Sequence, residues 1–288
     1  LSTLGLETSD VRMLTVLLLG AIILKSFALL SPAWYPSREE QSFYAAHAVL
    51  ASAGLLAVGL YPYLRFFGEN LAHRPEWREP AMAVGLGIAL LMALAALGEN
   101  DLHQLLAYAT FSQFGGLIAF FALIQPADTA LVALALLTYT LAIAGLTLCV
   151  GAAATVAGQR DLRRMGGLIN RMPVTAGLFL LCALSLAGLP PLGGFASRLL
   201  GILTLFDRGE RTVVYLFFAL GVVTLLYLLR LFHAIFLGEA GSARSSMQAA
   251  PFPVVVVASA IVLTLLFVGL LPGRALELLQ PAIELTMK

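Results

Sequence analysis

The sequence predicts an all-α membrane protein, a polytopic bundle of about eight transmembrane helices with at least one discontinuous helix. Three observations support this prediction. Of the 288 residues, 60% are hydrophobic and 11% are charged, whereas soluble domains contain about 25% charged residues. Several apolar runs reach the roughly 20 residues that a helix needs to cross a bilayer. One long run is interrupted at residues 189–194 by two prolines and two glycines.

The apolar runs define the predicted crossings, which short polar linkers connect. They are expected at residues 11–30, 42–67, 80–97, 103–124, 128–157, 173–207, 212–237 and 252–272. Residues 275–288 alternate apolar and polar side chains at about helical spacing, which is typical of a helix lying along the membrane interface. We therefore expect a transmembrane domain over residues 1–272 and a C-terminal interfacial segment over residues 273–288.

The interruption in the sixth run is formed by Pro190, Pro191, Gly193 and Gly194. Prolines cannot donate backbone hydrogen bonds, and glycines have no side-chain bulk. Inside a bilayer, freed backbone groups are tolerated only where protein or a water-filled cavity satisfies them. A broken helix followed one turn later by a cation, here Arg198, is a common way to build an ion site. The alternative is a short loop between two helices, with Arg198 reaching the interface.

Two other ionisable side chains lie in or next to apolar runs. An unpaired lysine at the position of Lys25 would cost about 2.5–3.5 kcal/mol on insertion scales. Lys25 either loads and releases protons or is a helix-end lysine that reaches the lipid headgroups. His103 lies near the start of the fourth run and is either a proton relay or a solvated residue. Asp101, two residues earlier, is a candidate for capping that helix.

Composition and motifs argue against several classes of function. The formal net charge of +1 gives no support for a nucleic-acid partner. Cys149 and Cys182 are too few and too far apart for a disulfide framework or a metal cluster. The sequence contains no phosphate-binding loop, nucleophile elbow or zinc-protease motif. We therefore expect the chain to have no catalytic site, metal or cofactor of its own.

Residues 160–168, 172–175 and 186–198 read RDLRRMGGL, MPVT and LAGLPPLGGFASR. These segments resemble the antiporter-like membrane subunits shared by respiratory complex I, Mrp-type sodium/proton antiporters and membrane-bound hydrogenases. That family usually has a lysine in the place of Arg198. The resemblance begins part-way through the family's pattern, so we expect its N-terminal helices to be missing from this chain.

Two other segments are similar to the family's patterns. Lys25 falls on the family's ion-pathway lysine. Residues 101–115 follow a pattern in which His103 replaces another pathway lysine. Ser112 and Gln113 are possible supporting residues in the same segment. His47 lies three residues from the family's histidine position and is either a relay or a polar core residue.

The chain departs from the family in its fifth and sixth apolar runs. Tyr139 replaces a histidine of the family and Ile143 replaces its central lysine. A tyrosine can relay a hydrogen bond but is a poor proton store, and an isoleucine can do neither. Arg198 stays protonated in proteins, so it can pair with an anion or repel a cation but cannot cycle a proton. For Arg230 a packing or lipid-facing role is expected.

The resemblance implies a membrane subunit of a multi-subunit ion-translocating complex, coupled to redox chemistry or to an ion gradient in other subunits. It would move protons, or sodium in exchange for protons, past Lys25, His103, Tyr139 and Arg198. Its partners would be other membrane subunits and lipid. The complex would be an NADH:quinone-oxidoreductase-like or hydrogenase-like translocase. It would lie in a bacterial inner membrane or an equivalent energy-converting membrane. The alternative is a degenerate, non-conducting member that serves as a structural subunit.

Overall fold

The computed structural model describes residues 78–123, 128–238 and 250–287 of the chain. In these ranges the chain is helical, and its only strand-like pairing is an isolated bridge between Asp101 and Asp161. The α-helices are α1 Arg78–Gly98, α2 Leu102–Leu123, α3 Thr129–Ala157, α4 Pro173–Ala187, α5 Gly193–Asp207, α6 Arg211–Phe232, α7 Phe252–Leu270 and α8 Pro272–Met287. Two 3-10 turns, Leu162–Arg164 and Leu168–Asn170, precede α4, and a π turn, His233–Leu237, extends α6. The predicted all-α class is confirmed.

Six of the predicted crossings fall in the described ranges. Five of them are helices long and apolar enough to cross a membrane, namely α1, α2, α3, α7 and α6 with its π turn. The sixth predicted crossing is discontinuous and consists of α4 and α5. The two crossings predicted at residues 11–30 and 42–67 lie outside the described residues.

The break between α4 and α5 covers residues 188–192 instead of the predicted 189–194. Gly188 ends α4 in the left-handed conformation, with φ +78°, which favours glycine. The peptide bond between Pro190 and Pro191 is cis. Gly193 and Gly194 are the first residues of α5 and not part of the break. A Cβ at Gly194 would lie 1.8 Å from the Ser185 carbonyl oxygen, so this glycine allows close packing of the two half-helices.

Small residues set the closest helix contacts elsewhere in the bundle. A Cβ on Gly85 of α1 would come within 2.8 Å of the Gly115 carbonyl oxygen of α2, so the two backbones touch. This is the kind of approach that small residues allow between membrane helices. Gly269, near the end of α7, packs as closely on the break, because a Cβ there would lie 2.1 Å from the Pro191 carbonyl oxygen.

The core and the outer surface are arranged as in a membrane bundle. Nearly every residue of α2 is buried, which makes it the central helix of the described part. α1, α6 and α7 carry large apolar side chains on their outer faces, among them Leu91, Tyr215, Phe218 and Leu263. Such faces suit contact with lipid or with other membrane proteins.

The C-terminal helix α8 begins three residues earlier than the predicted periodic segment. Its Ala275 is buried against Leu134 of α3 and Val268 of α7. Arg274 and Glu277 form an exposed ion pair of 3.3 Å on its other side. Polar and apolar faces on one helix agree with a place at the membrane interface, which stays a prediction, as does the domain division at residue 272.

Candidate functional site

The Arg198 side chain crosses the break and binds the end of the preceding half-helix. Arg198 lies in the second turn of α5, and its Nη1 and Nη2 donate to the carbonyl oxygens of Ala187 and Leu186, the latter at 3.4 Å. The last carbonyls of a helix have no partners within the helix and form the negative end of its dipole. The guanidinium group of Arg198 therefore makes its hydrogen bonds within the bundle. A Cβ on Gly188 would lie 2.8 Å from Arg198 Cδ, so a glycine is also needed there to admit the arginine.

Tyr139 of α3 is the second contact of the same guanidinium group. Arg198 Nε donates to the Tyr139 hydroxyl oxygen at 3.2 Å. The guanidinium carbon lies 5.9 Å from the centroid of the Tyr139 ring, within the range of a cation–π interaction. Tyr139 is only 8% exposed. The structure thus brings together two of the residues predicted for the ion path.

A small cavity lies beside this pair, between α2, α3, α5 and α6. Its volume of about 20 Å³ is enough for a water molecule. Four polar side chains line it, and the remaining walls are apolar; the polar residues are Gln113, Tyr139, Ser197 and Arg198. A cavity that offers several polar partners in an apolar bundle is the kind of place that holds buried water.

The polar lining extends through two hydrogen bonds. Ser197 Oγ and Thr138 Oγ1 are 3.0 Å apart. Gln113 Nε2 donates to Thr224 Oγ1 of α6 over 3.5 Å, a long contact. The sequence did not single out Ser197, Thr138 or Thr224. The available signal was that Ser197 adjoins Arg198 and Thr138 adjoins Tyr139 in otherwise apolar runs.

Ser112 and Gln113 are neighbours in sequence but face different helices. Ser112 Oγ donates to the Ala89 carbonyl oxygen of α1 at 2.9 Å, away from the cavity. Gln113 faces the cavity and α6. Of Ser112 and Gln113, the structure therefore brings only Gln113 to Arg198 and Tyr139.

His103 lies near the other end of α2. It is the second residue of the helix and is buried, with Asp101 and Arg160 as the charged groups that act on it. Asp101 Oδ1 accepts hydrogen bonds from the backbone N–H groups of His103 at 2.8 Å and Gln104 at 3.3 Å, so Asp101 caps the helix. His103 is ten residues from Gln113, about 15 Å along the helix axis. The structure does not bring His103 to the cavity.

Ile143 lies one turn along α3 from Tyr139. It is 2% exposed and packs in the apolar core. An isoleucine can neither hold nor relay a proton, so the polar route beside α3 ends at Tyr139. The predicted site residues Lys25 and His47 lie outside the described residues.

Two other arginines, Arg208 just after α5 and Arg230 on α6, also bind groups at or next to helix ends in the described structure. Arg208 donates to the Leu123 carbonyl oxygen, the last of α2, at 3.0 Å and forms an ion pair with Asp128. Arg230 donates to the Glu99 carbonyl oxygen and to Asn100 Oδ1, both at 2.7 Å, just beyond α1. Arg230 thus anchors the linker between α1 and α2, in agreement with a packing role.

The apolar helices and the broken helix, with four polar side chains around a buried cavity, define an integral membrane protein that holds polar groups within its bundle. Residues 1–224 match the family described as NADH:quinone oxidoreductase/Mrp antiporter, TM. The chain belongs to this family, as its sequence motifs predict.

Known relatives include subunits of both kinds of complex that the family name mentions. The chain is 28% identical over 237 residues to an Na(+)/H(+) antiporter subunit of Alkalihalophilus pseudofirmus, an alignment that covers 81% of this chain and 47% of that protein. It is 26% identical over 289 aligned positions to an NADH-quinone oxidoreductase subunit of Mycobacterium tuberculosis, covering 98% of this chain and 52% of that protein. The chain thus spans about half the length of these relatives.

A solved structure shares the fold. The Mrp complex from Dietzia sp. DQ12-45-1b contains a chain that superposes with a TM-score of 0.68 at 21% identity, over 94% of this chain and 66% of that one. This likeness supports the predicted helical membrane fold.

Proposed function

We propose that this chain is an ion-translocating, antiporter-like subunit of a multi-subunit membrane complex, and that the buried cavity beside the broken helix is part of its proton path. The path would include Lys25, His103, Tyr139 and Arg198. The ion would be the proton, or sodium in exchange for protons, and the driving reaction would take place in other subunits. The observation that carries the proposal is that four polar side chains from three helices converge on a cavity large enough for water.

Each polar group of the cavity has a separate task in this proposal. Arg198 supplies a fixed positive charge, since an arginine stays protonated and this one is tied to two carbonyl oxygens. The charge orients the Tyr139 hydroxyl, whose oxygen accepts from Nε. Gln113 and Ser197 provide further hydrogen-bonding groups for water. Protons would therefore pass through water and hydroxyl groups, with Arg198 as a positioning residue.

A second candidate function is a structural subunit that does not conduct. The burial of Ile143 in the apolar core and the attachment of Arg198 to backbone carbonyls favour it, because neither residue can exchange a proton. In both cases the partners would be other membrane subunits and lipid. The location would be a bacterial inner membrane or another energy-converting membrane.

Flux measurements on the intact complex distinguish the two functions. Proton and sodium flux would be measured in liposomes that hold the complex, for the wild type, Lys25→Ala and Gln113→Leu. Gln113→Leu keeps the approximate size of the side chain and removes its polar atoms from the cavity. Loss of flux from an assembled complex supports translocation through this chain. Wild-type flux in both variants would favour the structural role.

The Thr264→Val variant is the matched control for Gln113→Leu. Thr264 is an exposed residue of α7 whose hydroxyl donates to Ala260 of its own helix at 2.9 Å. Its substitution also replaces a polar group with an apolar one inside a membrane helix, but away from the cavity. A drop in flux in Thr264→Val would mean that the loss in Gln113→Leu is not specific to the cavity.

A further inference from the structure

Tyr227 of α6 is a buried polar residue that the cavity does not include. It is 0% exposed, and its hydroxyl makes no hydrogen bond within the described part of the chain. The side chains of Gln113 and Thr224 are its polar neighbours, and the positive charge of Arg198 interacts with it electrostatically. Buried tyrosine hydroxyls usually have a hydrogen-bond partner. Polar groups that lie close together without bonding directly are typical ligands of a bridging water.

α6 runs antiparallel to α2, and three contacts fix the alignment of the two helices. The Phe217 and Phe120 rings are 6.2 Å apart at one end. Gln113 contacts Thr224 in the middle, and Arg230 contacts Asn100 at the other end. Tyr227 is three residues from both Thr224 and Arg230, so it shares their side of α6 and lies between the two contacts.

This position lies between the cavity and the linker before α2. From Thr224 to Arg230 the helix rises by about 9 Å, and Tyr227 is at the midpoint. On α2 itself, the buried Thr110 lies between His103 and Gln113, but its hydroxyl donates to the Leu106 carbonyl oxygen of its own helix at 2.8 Å. At this level of the bundle the Tyr227 hydroxyl of α6 is available to bind water, whereas the Thr110 hydroxyl of α2 is already bonded to the backbone of its own helix.

We infer that Tyr227 holds a water molecule with Gln113 and Thr224 and that this water site extends the cavity at Arg198 in the direction of the linker that precedes His103. The inference rests on the proposed function and adds one step to its path. The Tyr227 oxygen takes a proton from this water as its own proton passes to water in the cavity, or the reverse, so each O–H bond that breaks is matched by one that forms. Tyrosine is neutral before and after the step, and no other reactant is needed.

The test is the Tyr227→Phe variant of the chain in its complex. This change removes one oxygen atom and keeps the buried ring. Tyr215→Phe is the matched control, since Tyr215 lies on the same helix with 69% of its surface exposed. Because losing one hydrogen-bonding step raises a barrier by roughly the strength of one such bond, we expect proton flux to fall about tenfold in Tyr227→Phe. Flux in Tyr215→Phe should equal that of the wild type.

Two further measurements do not depend on flux. A high-resolution cryo-EM map of the complex should show an ordered water within hydrogen-bond distance of the Tyr227 hydroxyl. The thermal stability of Tyr227→Phe should not exceed that of the wild type, whereas removal of a dry, unpaired hydroxyl would raise it.

These measurements distinguish a failure of the Tyr227 inference from a failure of the proposed function. If the wild type translocates protons and Tyr227→Phe does so equally fast, the inference is wrong and the proposed function stands. If the wild type translocates no ion, the proposed function fails, and the map alone decides whether the water site exists. A map without that water, together with a more stable Tyr227→Phe, would overturn the inference in either case.

Discussion

The guanidinium group of Arg198 packs directly on Gly221 of α6. A Cβ at position 221 would lie 2.8 Å from Arg198 Nη1 and 3.6 Å from the Ala187 carbonyl oxygen to which that nitrogen donates. The contact of Arg198 with the end of α4 therefore depends on a glycine in a third helix. A methyl group there would push the guanidinium away from its acceptor.

The Gly221→Ala variant should lower thermal stability. Alanine favours a helix over glycine by about 1 kcal/mol. Replacing a helical glycine that has no packing role would therefore stabilise the protein. Here the displaced guanidinium should outweigh that gain. Gly177→Ala is the control, because a Cβ at Gly177 of α4 would meet nothing within 4 Å. Equal melting temperatures for the two variants would contradict the proposed dependence.

Arg198→Lys should destabilise the protein by about 1–3 kcal/mol, since one ammonium group cannot replace the three directed contacts of the guanidinium. Denaturation of the detergent-solubilised protein measures this effect. Arg274→Lys is the control, with an exposed arginine paired to Glu277 on α8, and we expect about 0–1 kcal/mol there. An Arg198→Lys variant as stable as the wild type would show that the carbonyl contacts contribute nothing.

Gly194→Ala should prevent stable folding of the broken helix. The new Cβ would lie 1.8 Å from the Ser185 carbonyl oxygen, and backbone atoms on both sides would have to move. Overpacking of this kind costs about 3 kcal/mol or more. The yield of assembled protein after membrane extraction is the measurement, again with Gly177→Ala as the control. Normal yield of Gly194→Ala would mean that the two half-helices separate easily.

Ser112→Ala should lower stability by about 1 kcal/mol and leave ion flux unchanged. The hydroxyl bonds α1 to α2 through Ala89 and does not face the cavity. Thr264→Ala removes a hydroxyl that bonds only within its own exposed helix and should have little effect on stability. A flux defect in a fully assembled Ser112→Ala complex would place this serine on the ion path after all.

Asp101 should tolerate asparagine better than alanine. Both carboxylate and amide oxygens can cap a helix, whereas losing the cap costs about 1 kcal/mol. Thermal stability should thus follow the order wild type, Asp101→Asn, Asp101→Ala. Gln104→Ala, an exposed change in the same turn, is the control. If Asp101→Asn keeps its stability but loses proton flux, the carboxylate acts as more than a cap.

The break in the sixth crossing could be predicted from the sequence because its causes are local. Two prolines cannot continue a helix, and neighbouring glycines mark close packing. The predicted bounds of 189–194 were wrong for Gly193 and Gly194, because a glycine beside a proline fits a tightly packed helix start as well as a loop. Only the position of Ser185 on the other half-helix decides between these alternatives.

The partner of Arg198 could not be predicted in the same way. The expected partner of a buried cation is an acidic side chain, and no acidic residue adjoins Arg198 in the sequence. The structure supplies backbone carbonyls at the end of α4, which no sequence pattern reveals. Arg230 is a similar case, because its acceptors in residues 99–100 are about 130 positions away along the chain. Which of Ser112 and Gln113 faces the cavity also depends on tertiary packing.

The contact of Gly269 with the break joins the end of α7 to the turn between the two half-helices. Gly269 touches the backbone at Pro191, and α7 ends one residue later, at Leu270, just before α8 begins at Pro272. Close-packed interiors transmit displacement instead of absorbing it. A Cβ at residue 269 would therefore displace the Pro191 backbone, and with it the turn that joins α4 to α5.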